Sequence, residues 1–370
     1  MADDGSTSRR HFVSLGMFII DEFSFADEDG NPTGKTLAPQ ASPSYEPCLC
    51  ARSPIQLIPY LQIGGGGTYA VIGARMWLPP SKVGMIVDRG HDFPGHIQEA
   101  FDAYGPDMWL YRDDPTRGTT RALNAYRGEH RGFEYLTPRV RITPRDLSNT
   151  KLAQPDIIHF ICSPSRAAAI ISDIEQEEGW SPTTVYEPIP DRCVPEELPA
   201  LQKVLPAVSI LSPNAEEALS MLSMPKEPTK ELVEEACSRF LDMGVGPHGQ
   251  GSVIIRSGAM GACVASRGSP LAWVDAYWSP ENSDKVVEVT GAGNSFLGGL
   301  GAGLVLSKGD VRQATLYATV SASFTIEQEG LPRLGRNSHG TGQEMELWNG
   351  DSPHRRLQAL QDRLAEKGTK

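Results

Sequence analysis

At 370 residues, 39% hydrophobic and 22% charged, the chain has room for one large α/β domain or two average ones and the balance of an ordinary soluble protein. A formal net charge of −12, from 34 basic and 46 acidic residues, argues against a nucleic-acid surface, which needs a basic footprint. No apolar run reaches the roughly 18 residues of a membrane span and the polar start has no signal-peptide core, so no membrane association and a cytoplasmic location are expected.

Residues 1–11 read as a disordered tail. The apolar run His11–Ile20 predicts one buried parallel strand with Asp21 at its C-terminal end, where α/β sheets bind ligands. Residues 24–54, rich in Pro, Ser, Gly and Asp, predict a loop or a small covering element. Gly64–Gly67 then lead into a helix over Thr68–Trp77, and Val83–Val87 is a second buried strand. Between Asp113 and Arg145 the chain is dense in arginine and aromatics with partial alternation, which predicts two exposed strands.

From residue 156 onward strand and helix patterns alternate. Strands are predicted at Ile157–Ile161, Thr183–Glu187, Val208–Leu211, Val253–Arg256 and Ala262–Ser266. Helices are predicted at Ser165–Glu177, Glu196–Leu205, Asn214–Leu222 and Lys230–Met243. That rhythm implies a parallel, doubly wound sheet. A β-branched run, Val286–Val289, reads as a short strand before Gly291-Ala-Gly293 and the helices Ser295–Ser307 and Ala314–Glu327. Residues 331–351 look loose, and His354–Lys367 reads as a surface helix with Leu357, Leu360 and Leu364 on one face.

Several familiar chemistries fail on spacing. Gly30–Thr36 resembles a phosphate-binding P-loop but has three residues between its glycines where four are required. Tyr69 and Phe296 stand where dinucleotide fingerprints need a third glycine. The eight histidines form no metal-binding pair, and the six scattered cysteines, with only Cys48 and Cys50 close together, read as free thiols.

Three patterns remain. The N–H groups of Ala292, Gly293 and Asn294 lie at a predicted helix start, which makes an anion site. Asn214 and Glu217 share one face of another helix start, with Asn214 a natural N-cap and Glu217 completing something like a capping box. Arg256-Ser257-Gly258 to Gly261 forms a hairpin turn between two strands.

The segment V-V-E-V-T-G-A-G-N-S-F resembles the C-terminal signature of the ribokinase-like (PfkB) carbohydrate kinases, usually D-T-x-G-A-G-D-x-F, and the likeness runs from about residue 12 to about residue 330. Within the family, G-M-F-I-I-D-E-F, T-T-R-A-L-N-A-Y and Y-E-P-I-P look most like the fungal maintenance-of-killer branch. The resemblance implies a ribokinase-like α/β domain over residues 12–330, its doubly wound sheet mostly parallel. A small β lid would come from about residues 24–62 and 112–143, and residues 331–370 would be a C-terminal extension.

In function, it implies an ATP-dependent phosphotransferase acting with Mg²⁺ on an alcohol group of a sugar, nucleoside or related small molecule. Gly291, Ala292, Gly293 and Asn294 would be catalytic, and Asp21, Gly64, Gly65, Gly66 and Tyr69 would hold substrate. Asn214, Glu217, Arg256, Ser257, Gly258, Gly261 and Thr319 would meet ATP, with Glu217 reaching Mg²⁺ through water.

The chain departs from the family pattern where Asn294 replaces the general-base Asp and where Thr68 and Tyr69 replace an Asn. Slow transfer is therefore expected, with Glu288 or Asp92 as replacement base, Tyr69 stacking on a flatter substrate, and Asn294→Asp raising the rate. The alternative is a catalytically weakened relative that binds nucleotide or a partner protein in a regulatory role. Arg121, Arg127 and Arg131, interleaved with Tyr126 and Phe133, are expected to cover the substrate mouth or form a homodimer contact.

Overall fold

The computed structural model describes residues 9–28, 33, 60–127, 130–339 and 343–368. Cys48, Cys50, the P-loop-like segment apart from Thr33, and most of residues 24–62 lie outside the described residues. In chain order the first elements are β1 (Phe12–Ser14), β2 (Ile19–Ala26), β3 (Tyr60–Gly64), α1 (Gly66–Arg75), β4 (Val83–Gly90), α2 (Gly95–Tyr104) and β5 (Trp109–Asp114). Next come β6 (Arg121–Arg127), β7 (His130–Tyr135), β8 (Ile157–Cys162), α3 (Pro164–Glu175), β9 (Thr183–Pro188), α4 (Leu198–Val204), β10 (Ile210–Leu211), α5 (Ala215–Met221) and α6 (Lys230–Asp242). The chain closes with β11 (Ser252–Arg256), β12 (Ala262–Ser266), β13 (Ser269–Val274), α7 (Ala292–Leu306), α8 (Val311–Thr325), β14 (Leu334–His339), β15 (Gln343–Trp348) and α9 (Pro353–Gly368).

Side chains along the buried strands alternate between two cores, which is why helices cover both faces of one sheet. Phe12, Val185 and Ile254 point into the core shared with α1, α7 and α8. Val13, Tyr186, Val253 and Ile255 point into the core shared with α3 to α6. The nine-stranded sheet runs β13-β12-β11-β10-β9-β8-β1-β4-β5. It is parallel from β5 to β11, with β12 and β13 added antiparallel at one edge. Phe12 is in register with Val83 on one side and Ile157 on the other, so the strand order reverses at β1 and opens a crevice at the C-terminal strand ends.

The run His11–Ile20 is not one strand. It divides at Leu15–Phe18 because Gly16 lies against the backbone of Gly67, where a Cβ would stand 2.5 Å from the Gly67 nitrogen. The chain then leaves the main sheet for a four-stranded lid in the order β3-β2-β6-β7. Asp21 therefore sits inside a lid strand, in register with Gln62 and Ala122, and not at the end of a core strand. Val286–Val289 forms no strand either. These valines are exposed, and the segment is tied down where the Val287 N–H donates to the Ile326 carbonyl at 2.8 Å.

Small residues seat α7 between two neighbouring helices. A Cβ on Gly298 would fall 1.7 Å from the Ala70 carbonyl of α1, and one on Gly303 would fall 2.7 Å from Ala314 Cα of α8. Residues 331–351, read as loose, contain the hairpin β14–β15. Buried Arg75 of α1 donates to both carboxylate oxygens of Glu346 at 2.7 and 2.6 Å, and Trp348 stacks on Tyr104. The last helix, α9, packs Leu357 and Leu360 into the core.

Candidate active site

A cavity of about 430 Å³ opens where the C-terminal ends of β1, β8, β9, β10 and β11 face the lid. Its wall includes Asp21, Gly65, Gly66, Tyr69, Asn214, Glu217, Arg256, Gly291, Gly293 and Asn294. Six other expected residues do not line it. Gly64 is covered by Asp21, whose Oδ2 lies 1.9 Å from where a Gly64 Cβ would be. Ala292 spends its N–H on the Val289 carbonyl at 3.1 Å, leaving Gly293 and Asn294 as the open donors of the first turn. Ser257, Gly258 and Gly261 shape the turn behind Arg256, with positive φ at both glycines. Thr319 lies within α8, where its hydroxyl donates to the Thr315 carbonyl at 2.9 Å.

Asn214 and Glu217 form a reciprocal capping box at the start of α5. The Glu217 N–H donates to Asn214 Oδ1 and the Asn214 N–H to Glu217 Oε2, both at 2.7 Å. Burial pushes the Glu217 carboxyl up to about 7, and the Arg256 guanidinium, 3.7 Å away, only partly offsets that. A backbone bridge between Asn214 and Arg256 sets this side of the site. The Arg256 guanidinium lies against the start of α7, with Nη1 2.0 Å from where a Gly293 Cβ would be. Its Nε is buried without a hydrogen-bond partner.

The centre of the site is Glu187, which sequence reasoning assigned only to a strand. It is the penultimate residue of β9 and lines the cavity. Its Oε2 accepts from the Asn294 side-chain amide at 2.8 Å, and its Oε1 pairs with Arg256 at 2.8 Å. His159 Nε2, fully buried and without a hydrogen-bond partner, stands 3.5 Å from the same carboxylate. Ser14 Oγ meets His159 Nδ1 at 3.0 Å, so a polar file runs from β1 beneath the site. Burial alone pushes the Glu187 carboxyl up, but Arg256, His159 and Asn294 together hold it below the ordinary glutamate value. The sequence carried only a partial signal, a carboxylate near the C-terminal end of a predicted strand, where α/β sheets bind ligands.

The replacement bases expected from the sequence are engaged elsewhere. Glu288 accepts from the Thr290 N–H and hydroxyl at 2.9 and 2.8 Å. Asp92 accepts from the Thr119 N–H and pairs with Arg121 at 2.9 Å. Neither carboxylate lines the cavity.

Tyr69 packs its ring beneath Gly291, 2.4 Å from where a Cβ would lie, and is 3% exposed, so its face is not free for stacking. Arg121 is held by Asp92 and Glu22 and covers no mouth, while Phe133 is exposed and lines the cavity. The side chains of Tyr126, Arg127 and Arg131 lie outside the described residues.

The model for the pfkB family of carbohydrate kinases matches residues 63–333. An uncharacterized protein of Schizosaccharomyces pombe is 34% identical over 96% of this chain and 93% of its own length. Protein MAK32 of Saccharomyces cerevisiae is 35% identical over 73% of this chain and 79% of its own. Among solved structures, Arabidopsis thaliana ribokinase in complex with ribose and ATP superposes with a TM-score of 0.60 at 16% identity, covering 87% of this chain and 94% of that one. With that family model matched over residues 63–333, the chain belongs to the pfkB family of carbohydrate kinases.

Proposed function

We propose that this protein transfers the γ-phosphoryl group of ATP to a hydroxyl of a small polyol, with Glu187 as the proton acceptor. The observation that carries this reading is the Glu187 carboxylate hydrogen-bonded to the Asn294 amide inside the cavity, at the head of α7. An amide takes up no proton at neutral pH, but a carboxylate beside it does.

The residues present suit the phosphates of ATP. Arg256 Nε is a buried donor with no partner, and Gly293, lacking a side chain, admits the guanidinium to the head of α7. Among the described residues no cluster holds a metal ion with protein ligands alone. Glu217 suits contact through water, the manner in which Mg²⁺ is commonly held beside phosphates. When bound, Mg²⁺ neutralises phosphate charge.

In the transfer, the substrate oxygen bonds to the γ-phosphorus while the bond from that phosphorus to the departing ADP oxygen breaks. Glu187 accepts the hydroxyl proton. The first-turn N–H groups of Gly293 and Asn294 face the charge that builds on the transferring group. Asp21 holds the polyol from the lid side.

A regulatory, nucleotide-binding role is the second reading, supported by the Arg256 contact that weakens Glu187 as a base. ADP release across a sugar and nucleoside panel, measured for the wild type and Glu187→Gln, decides between the two. Silence of the wild type across the panel favours the second reading.

A further inference from the structure

The cavity carries more positive charge than a neutral polyol needs. Arg139, Arg141 and Arg166 line it together with Arg256, against the carboxylates Asp21, Glu187 and Glu217. Four arginines thus face three carboxylates, in a chain whose formal net charge is −12. Arg256 is already occupied by both glutamates.

Several arginines elsewhere are held by carboxylates, as Arg75 is by Glu346, Arg112 by Asp88 and Asp146, and Arg121 by Glu22 and Asp92, while buried Arg10 is satisfied by three backbone carbonyls. Among the described residues, Arg139, Arg141 and Arg166 form no such ion pair. What holds them is neutral. Arg166 Nη2 donates to the Ile142 carbonyl at 2.7 Å, and the Arg139 guanidinium lies 4.7 Å from the centre of the Tyr135 ring. Burial, and after it the like charge of Arg141, act to hold the Arg166 guanidinium below its ordinary value. Asp146 and Asp173 favour the charged Arg166 but are themselves paired with Arg112 and Arg145. Cations gathered in a cleft with no carboxylate in ion-pair contact repel one another, and an anion entering the cleft relieves that cost. Guanidinium forks match the planar carboxylate and the phosphate oxygens in geometry.

We infer that the acceptor is an anionic polyol, a small hydroxylated molecule whose phosphate or carboxylate group is held by Arg139, Arg141 and Arg166 while its hydroxyl lies at Glu187. This rests on the phosphotransferase reading and narrows it to a substrate class. The two anions share one recognition chemistry, and the probes below separate them.

Calorimetry on the full chain without nucleotide, using ribose 5-phosphate, glucuronate, ribose and glucose, tests it. At least one anion should bind roughly tenfold to a hundredfold more tightly than its neutral parent, the range expected of charge-assisted hydrogen bonds. Ribose 5-phosphate alone would assign a phosphate group, and glucuronate alone a carboxylate. The preference should collapse in the double variant Arg139→Gln, Arg141→Gln, whose exposed positions leave folding intact. A non-hydrolysable ATP analogue should not displace the anion.

Equal affinity for neutral parents, no binding of either anion, a preference that survives the double variant, or displacement by the ATP analogue would each overturn the inference. ATP binding, titrated on the same sample, separates the two failures. Its absence removes the phosphotransferase reading itself, whereas its presence without an anion preference removes only the substrate class.

Discussion

The side-chain amide of Asn294 donates a 2.8 Å hydrogen bond to the carboxylate of Glu187, a residue 107 positions earlier in the chain. Three α-helices and four strands lie between them, and the fold brings them together at the head of α7. The position at which the resemblance implies a carboxylate thus holds an amide, with a carboxylate one hydrogen bond away.

Glu187→Gln keeps the size and the contact with Asn294 but takes up no proton. Phosphoryl transfer should fall by about 10²–10⁴-fold, the usual cost of losing a general base. ATP affinity, measured by calorimetry, should change far less. Because Glu187 is held below the ordinary glutamate value, kcat/KM of the wild type should stay level as pH falls from neutral and decline only below that value.

Asn294→Asp, expected from sequence alone to raise the rate, should lower it. The new carboxylate would stand about as close to Glu187 as the amide does now, and two carboxylates at that distance share one proton. A pH–rate profile should show the acid limb moved upward relative to wild type. A faster variant with an unmoved limb would assign the proton to position 294.

Glu217 should make the fold less stable as pH rises. Its folded value of about 7 exceeds the ordinary glutamate value, so the folded state binds the proton more tightly than the unfolded chain. Stability should therefore be greatest below the unfolded value, decline up to about pH 7 and then level off, by at most about 3 kcal/mol. In Glu217→Gln, which can retain the capping box, urea denaturation across that window should lose this slope. Nucleotide affinity should become less dependent on added Mg²⁺.

Removing Glu346 leaves the buried Arg75 guanidinium without its bidentate partner. Glu346→Ala should cost about 2 kcal/mol in chemical denaturation, the range for a buried charged donor left unsatisfied. Proteolysis should then cut first within β14–β15, and trimming the chain to the family match at residue 333 should destabilise it further.

Local features were legible in the sequence. The capping box of Asn214 and Glu217 lies within four residues, and the Gly291–Gly293 turn is written in adjacent letters. Strand–helix alternation also survives translation into sequence, because buried strands and amphipathic helices have different periods. Glu187 was not legible as a site residue, since its role depends on Asn294, Arg256 and His159, each supplied by another element. Val286–Val289 misled for the opposite reason. Branched side chains favour extended backbone, but nothing pairs with this segment at a sheet edge, and it remains exposed. The run from His11 hid a change of sheet because apolar residues continue through Leu15–Phe18 while the backbone turns away.

The seating of α7 also limits how the cavity can change shape. With Gly298 against the Ala70 carbonyl and Gly303 against Ala314, this helix has no slack along either neighbour, and the donors at its head are fixed to the main sheet. The opposite wall belongs to the lid, joined to that sheet through the short Leu15–Phe18 passage. Should the proposed transfer require the cavity to close around its ligands, the movement would fall to the lid, carrying Asp21 toward the wall at the head of α7 while that wall keeps its geometry.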